Sequence, residues 1–326
     1  MKKFNMSIKI LITIIVISVL YQIGQYLRKY ASTSLVKEGF TQKKKFIEKD
    51  NKELFDPFYS GVYDDLLYNE TKNYYEINQI MKLTNMSDKS VVLDIGCGTG
   101  HHVSLLRKEG IPNVIGIDRS LSMIKQAQEN DPKCKFEQMD ALKAMSYKPN
   151  SFSDILCLYF TIYYIKDKMT FFKNCYSWLK PGGFLVIHLV NRNMFDPIVP
   201  AADPLFLVSP QKYAKKRITN SNIKFVDFQY KAKFNLDKDT NHGSFEETFK
   251  DDKTGNVRKN THTLYMEPQK EILSLAANNG FIFKGKIDLL HVQYEYQYLY
   301  ILYKPPSNAA FNFIPYSAAY PESLKS

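Results

Sequence analysis

A chain of 326 residues, 44% hydrophobic and 24% charged, carries enough apolar side chain for a full core, which excludes a wholly disordered protein. Forty-four Lys and Arg against 33 Asp and Glu leave a charge of +11, which suits nucleic acid, an anionic membrane surface or an acidic substrate without choosing among them. Cys97, Cys134, Cys157 and Cys175 stand apart with no CxxC pair, an arrangement that argues against a disulfide framework and a zinc site.

The first element is the Ile/Leu/Val-rich run within MKKFNMSIKILITIIVISVLYQIGQYLRKY. From Ile8 to Leu27 there are about twenty residues, enough helix to cross roughly 30 Å of hydrocarbon, with Lys9 able to snorkel to the headgroups. A cleaved signal peptide needs a small-x-small site, and Tyr21, Gln22, Gln25 and Tyr26 stand in its place. Residues 1–29 are therefore expected to be an uncleaved membrane anchor of a single-pass protein. A basic connector follows over 30–54; its Lys37, Lys43, Lys44 and Lys45, with Arg28 and Lys29, favour a cytosolic main domain, against the opposing Lys2, Lys3 and Lys9.

From Thr71 the pattern changes. TKNYYEINQIMKLTNM has helical spacing, SVVLDIG reads as a strand, HHVSLLRKEG as a helix closed by Gly110, NVIGID as a strand and SLSMIKQAQEN as a helix. KFEQMDA and FSDILCLYF are the next strands, followed by the helix KMTFFKNCYSWLK and the strand GGFLVIHLV. Such alternation implies an α/β core over 55–190, a doubly wound, mainly parallel sheet with ligands at the carboxyl ends of its strands.

The turn after the first of these strands holds Gly96, Cys97, Gly98 and Gly100, two residues beyond Asp94. A dinucleotide fingerprint needs its third glycine one place later, where His101 stands. Asp94 beside a diphosphate would also be repelled, by roughly 1 to 4 kcal/mol at contact. A ligand with an ammonium and a sulfonium is attracted instead, which favours S-adenosylmethionine over NAD. Asp118 ends the next strand, where a carboxylate can accept from ribose hydroxyls. Asp140 ends the third and could reach an adenine amino group, with the Ala141 backbone beside it and Met123 or Arg119 against the ring.

The segments VVLDIGCGTG, VIGIDRSLSMIKQA, FEQMDA, FSDILCLYFTIYYI, LKPGGFLVIHLV and NNGFIFKGKIDLLHVQYEYQYLYILYKP, in this order, resemble the class I S-adenosylmethionine-dependent methyltransferases. The resemblance covers roughly Phe55 to Pro305. It implies a Rossmann-like seven-stranded sheet with its last strand antiparallel, one bound S-adenosylmethionine, and methyl transfer to a nucleophile. Asp94, Gly96, Gly98 and Gly100 would then cradle the methionine part, Asp118 the ribose and Asp140 the adenine. FDPFYSGVYDDLLY resembles the family's N-terminal lid, so Tyr59 and Tyr63 would close over the ligand, with ordinary aromatic packing as the alternative.

About seventy residues, 191–262, interrupt that pattern before a closing helix and hairpin over 263–304 and a tail over 305–326. NIKFVDFQYKAKFNLD alternates apolar and polar residues, and SFEETFKDDKTGNVRKNTHTLYM reads as strand, tight turn at Asp252–Asn256, and strand, so a small antiparallel cap over the strand edge is expected. Its Lys215, Lys216, Lys231, Lys233, Arg258 and Lys259 either bind an acidic substrate or lie on a solvated face. On the core side Tyr159, Tyr163, Tyr164, His188 and Asn191 are candidates for the acceptor site, with Tyr159 lining it and His188 a candidate base whose alternative is satisfied packing.

The leading expectation is methyl transfer to oxygen, nitrogen or carbon of a small-molecule or lipid-like acceptor. A membrane-tethered scaffold that keeps the pocket without turnover is the alternative, opposed by the intact Asp94, Asp118 and Asp140. Nucleic-acid methylation is disfavoured because the lysines are spread through connector and cap without a recognisable RNA-binding module.

Overall fold

The computed structural model describes residues 13–23, 44–51, 53–198 and 215–306. The chain divides into two units, residues 1–43 and 44–326. In the first, residues 13–23 form helix α1. Among the described residues no helix is long and apolar enough to cross a membrane, so the expected transmembrane segment is not supported. Residues 1–12 and 24–29 of the expected anchor, residues 30–43 of the connector and residues 307–326 of the tail lie outside the described residues.

The second unit is built on a seven-stranded sheet of order β11-β12-β6-β5-β2-β3-β4. Its strands are β2 (Val91–Ile95), β3 (Asn113–Asp118), β4 (Lys135–Gln138), β5 (Phe152–Cys157), β6 (Leu179–Val190), β11 (Ile282–Asp288) and β12 (Gln297–Tyr303). β2 to β6 pair in parallel, while β12 runs antiparallel to both β6 and β11, as the family resemblance implied. A short apolar run such as VVLDI is buried on both faces because helices cover both. Leu93, Ile155 and Ile187 point to the side packed by α7 (Lys168–Trp178) and α8 (Gln269–Asn278). Val92, Val114, Leu156 and Val186 point to the side packed by α3 (Glu70–Thr84), α4 (His101–Lys108) and α5 (Leu121–Asn130). Trp178 is the largest fully buried side chain on the first side, and truncating it to alanine would cost about 3–5 kcal/mol.

The core strands stop short of the sequence expectation at two functional places. β4 ends at Gln138, because the Asp140 side chain accepts from Leu142 N at 2.9 Å and turns the chain. β5 ends at Cys157, and Tyr159 just beyond it takes a left-handed φ of 52°.

The insertion forms the expected cap, now seen as a five-stranded sheet of order β1-β10-β9-β8-β7. β7 (Asn220–Lys224), β8 (Phe228–Asp237), β9 (His242–Asp251) and β10 (Val257–Tyr265) are antiparallel neighbours. The connector does not stay separate. Its Phe46–Asp50 forms β1 and pairs in parallel with β10, so the cap recruits a strand from far upstream. Along β8 the alternation buries Tyr230, Ala232 and Phe234 and leaves Lys231 and Lys233 exposed on the other face.

Candidate active site

A cavity of about 1020 Å³ opens at the carboxyl ends of the core strands and continues under the cap. Its floor is the turn after β2. Gly96, Gly98 and Gly100 all have positive φ, of 70°, 54° and 87°, which only glycine adopts without strain. Their surroundings differ. A Cβ on Gly96 would meet the Thr161 side chain at 2.4 Å, and one on Gly100 would meet Phe136 at 2.6 Å and Ala127 at 2.9 Å. A Cβ on Gly98 would touch nothing closer than the Tyr63 ring at 3.8 Å. Gly96, Cys97 and Gly98 line the cavity, whereas Gly100 does not; it starts α4 and packs against the core. The Cys97 thiol is pushed up in pKa by burial, and its sulfur lies 2.9 Å from where a Cβ on Gly116 would sit, which explains a glycine inside β3.

Asp94 lines the cavity at the end of β2, 1% exposed, and its Oδ2 has no hydrogen-bond partner in the protein. Burial, then the charges of Asp118 and Glu76, push its pKa up to about 8. An orphaned buried carboxylate oxygen facing a cavity calls for a cationic or hydrogen-bond-donating ligand. Asp118 is already engaged: Oδ2 accepts from Gly98 N at 3.1 Å and Oδ1 from Ser120 N at 2.8 Å. It ties the glycine turn to α5, and it lines the cavity with acceptor capacity to spare. Arg119, Met123, Asp140 and Ala141 also line the cavity, and Asn174 anchors Ala141 through its carbonyl at 2.9 Å. The donor set therefore fits S-adenosylmethionine along one wall: the orphaned Asp94 for its cationic end, then Asp118 and Asp140.

Over that wall lies α2 (Pro57–Leu67), which brings Tyr59 and Tyr63 onto the cavity. Asp56 caps it by accepting from Tyr59 N at 3.1 Å and also pairs with Arg258 of β10 at 2.8 Å, so the lid helix and the cap are locked together. Arg258 is thereby buried and spoken for. Lys215, Lys216, Lys231 and Lys233 do not line the cavity, and Lys259 faces Glu48 and Glu246 at 3.5 and 3.7 Å. These six residues thus give no cradle for an acidic substrate, and of the described Lys and Arg residues on the cap sheet Lys49 of β1 is the one that lines the cavity.

Tyr159 lines the cavity as expected, whereas His188 does not. His188 is fully buried; Nδ1–H donates to the Tyr159 carbonyl, and Nε2, the acceptor of the neutral ring, faces the Gln297 side-chain amide at 3.1 Å, which satisfies it by turning its NH2 toward the ring. Burial lowers its pKa to about 4. With both nitrogens occupied and no access to the cavity, it serves as a brace for Tyr159, the packing alternative. Tyr163 likewise turns inward, its hydroxyl accepting from Val190 N at 2.8 Å.

Two polar clusters at the cavity go beyond the sequence reading, which names only Tyr164 of their members as a candidate. Lys72 and His102 line it and share the fully buried Glu76, each 2.9 Å from its Oε2. Burial pushes the Glu76 carboxyl up, but Lys72, then the hydrogen bond and charge of His102, outweigh it and hold the pKa at about 2. Across the cavity, Tyr164 of the core forms a hydrogen-bonded chain with His262 and Glu247 of the cap. The available signal was the inward run Arg258, Asn260, His262, three polar side chains on the buried face of β10.

Comparison with known proteins agrees with this geometry. The family described as a methyltransferase domain matches residues 92–183. Phosphoethanolamine N-methyltransferase 1 of Zea mays is 34% identical over 113 residues, which cover 33% of this chain and 22% of that protein. Trans-aconitate 2-methyltransferase of Enterobacter sp. (strain 638) is 29% identical over 113 residues, 34% of this chain and 43% of that one. The chain thus spans less than half the length of these curated relatives. An S-adenosylmethionine-dependent methyltransferase from Clostridium acetobutylicum ATCC 824 shares the fold, with a TM-score of 0.57 at 15% identity over 76% of this chain and 98% of that one. With the sheet order, the glycine turn and the matched segment in agreement, residues 92–183 are a methyltransferase domain of the S-adenosylmethionine-dependent kind, set in a chain with the fold of such enzymes.

Proposed function

We propose that this protein transfers the methyl group of S-adenosylmethionine to a small molecule held between the core sheet and the cap. The observation that carries the reading is Asp94: an orphaned, buried carboxylate at the cavity end of β2, beside a turn of positive-φ glycines. A sulfonium with an ammonium draws that group into its ionised form and is attracted to it, whereas a nucleotide diphosphate would be repelled by the ionised form and gains no such attraction.

Acceptor room supports the same reading. Ligand pockets run to roughly 1,000 Å³, so a cavity at the top of that range holds a donor and a second small molecule side by side. The far wall is apolar, formed by Phe195, Phe234, Phe245 and Leu264, and this points to an acceptor with an apolar body. S-Adenosylmethionine supplies an already activated methyl group. The chain's own residues then have to orient the acceptor in line and exclude water, which Tyr63, Tyr159 and the α2 lid are placed to do.

Incubation of the protein with methyl-labelled S-adenosylmethionine and fractionated metabolite and lipid extracts tests the proposal. Label appearing in a small-molecule fraction, dependent on Asp94, supports it; label in none, from a folded sample, contradicts it.

A further inference from the structure

We propose that Tyr164, His262 and Glu247 form a proton relay to the methyl acceptor, so that the acceptor is a hydroxyl or a protonated amine rather than an acid that already carries its negative charge; this rests on the methyltransferase reading above. Tyr164 Oη lies 2.6 Å from His262 Nδ1, and His262 Nε2 lies 2.6 Å from Glu247 Oε2. A carboxylate only accepts, so its bond to the imidazole requires Nε2–H; the other nitrogen of a neutral ring is then an acceptor, and the Tyr164 hydroxyl points its hydrogen at it. The tyrosine oxygen keeps its lone pairs for a donor in the cavity. Tyr164 and His262 both line that cavity.

Glu247 is held in place from three sides. Its Oε1 accepts from Tyr230 at 2.7 Å and Tyr59 at 3.3 Å, and its Oε2 also accepts from Asn260 at 3.4 Å. A carboxylate fixed behind an imidazole sets its tautomer and stabilises the imidazolium that forms, the division of labour in a nucleophile–histidine–acid triad. The relay is close to the methyl donor's wall. Tyr164 stands three residues after Thr161 on helix α6 (Thr161–Tyr164), and the Thr161 side chain packs directly over Gly96. The Phe55 ring, centred 5.5 Å from Tyr164 and 6.1 Å from His262, helps keep water out. Burial keeps the Tyr164 hydroxyl protonated, so it passes a proton on rather than storing charge.

For a hydroxyl acceptor the atoms balance as follows. The acceptor's O–H proton moves to Tyr164 Oη while the tyrosine's own proton passes to His262 Nδ1. The acceptor's lone pair forms the new O–CH₃ bond, the S–CH₃ bond breaks, and its electron pair stays on sulfur, leaving neutral S-adenosylhomocysteine. The imidazolium faces Glu247 until its proton is lost to water. Tyr164 is the catalytic residue here; His262 and Glu247 act through it as positioning residues.

The first arm of the test needs no ligand: nitrogen-15 NMR of histidine-labelled protein, with His262→Asn to assign the signals. His262 is expected as the Nε2–H tautomer, with an Nδ1 resonance that moves in Tyr164→Phe; an Nδ1–H tautomer overturns the relay. The second arm measures S-adenosylhomocysteine formation with catechol, phosphoethanolamine and trans-aconitate. Transfer is expected to catechol or phosphoethanolamine, with kcat falling about 100-fold or more in Tyr164→Phe and Glu247→Gln. The KM for S-adenosylmethionine should stay within about threefold, and any loss on trans-aconitate should be at least about tenfold smaller. Transfer to trans-aconitate alone, transfer to none of the three, or a Tyr164→Phe kcat within about threefold of wild type overturns the proposal. Calorimetry with S-adenosylmethionine on the same samples separates the two readings: binding retained confines the failure to the relay, and binding absent removes the methyltransferase reading itself.

Discussion

His188 donates its Nδ1–H to the main-chain carbonyl of Tyr159, the residue whose left-handed φ of 52° swings its ring over the cavity. The bond runs this way because a carbonyl only accepts. A non-glycine residue in that conformation costs about 1–3 kcal/mol and persists where its surroundings fix it. Burial holds the imidazole neutral, with a pKa of about 4 against 6.5 when unperturbed. Between these values the unfolded chain binds more protons than the folded one. Stability should therefore rise with pH from about 4 to 6.5 and be lost on acidification, by on the order of 3 kcal/mol. In His188→Asn this part of the pH dependence should vanish, with about 1–3 kcal/mol lost at pH 7; denaturant midpoints at pH 4.5 and 7 measure both effects.

Lys72 and Glu76 are a buried ion pair, and breaking it from the lysine side leaves the Glu76 charge in the core with only His102 to offset it. Lys72→Met should cost about 3–5 kcal/mol, while the double change Lys72→Met with Glu76→Leu should recover most of that loss. Because the folded pKa of Glu76 is depressed from 4.5 to about 2, its contribution is complete above pH 4.5 and disappears as pH falls toward 2. Thermal melts of the three proteins across that range test the sign.

The glycine turn separates folding from binding. Gly100→Ala drives a Cβ into Phe136 and Ala127 at a φ of +87°, and should destabilise by several times the roughly 1 kcal/mol of left-handed strain alone. Gly98→Ala meets only the Tyr63 ring at 3.8 Å and should cost about 1–2 kcal/mol while weakening the ligand that shares its space. Melting temperatures paired with S-adenosylmethionine titrations distinguish the two.

Asp94 predicts proton release on binding. With a pKa of about 8 it is largely neutral at pH 7 in the free protein, and a cationic ligand against it favours the carboxylate. Calorimetry at pH 7 in buffers of different ionisation enthalpy should show close to one proton released per S-adenosylmethionine, falling toward zero by about pH 9.5. Asp94→Asn should abolish the release and weaken binding about ten- to hundredfold.

Much of this was legible in the chain itself. Val91–Ile95 and Asn113–Asp118 declare themselves as buried strands by uninterrupted apolar runs, and the Asp that closes each stands at the ligand edge by topology alone. Asp94 was readable because a carboxylate beside a glycine turn has a definite electrostatic consequence. Other features depended on long-range pairing that no local pattern carries. Phe46–Asp50 looks like a charged linker until β10, more than two hundred residues on, offers it an edge. His262 and Glu247 lie diagonally on neighbouring strands joined by the β9–β10 turn, and although the polar run Arg258, Asn260, His262 marks β10 as unusual, nothing local to it points to Glu247 as the partner. His188 failed as a base for the opposite reason: strand alternation turned it to packing, where Tyr159 and Gln297 already satisfy it.

The most direct test of the central claim is calorimetric titration of the full-length protein with S-adenosylmethionine, S-adenosylhomocysteine and NAD. Saturable one-to-one binding of both adenosyl ligands, with none of NAD, is the predicted result. Binding of NAD in their place, or of none of the three by a folded sample, would contradict the assignment of the cavity.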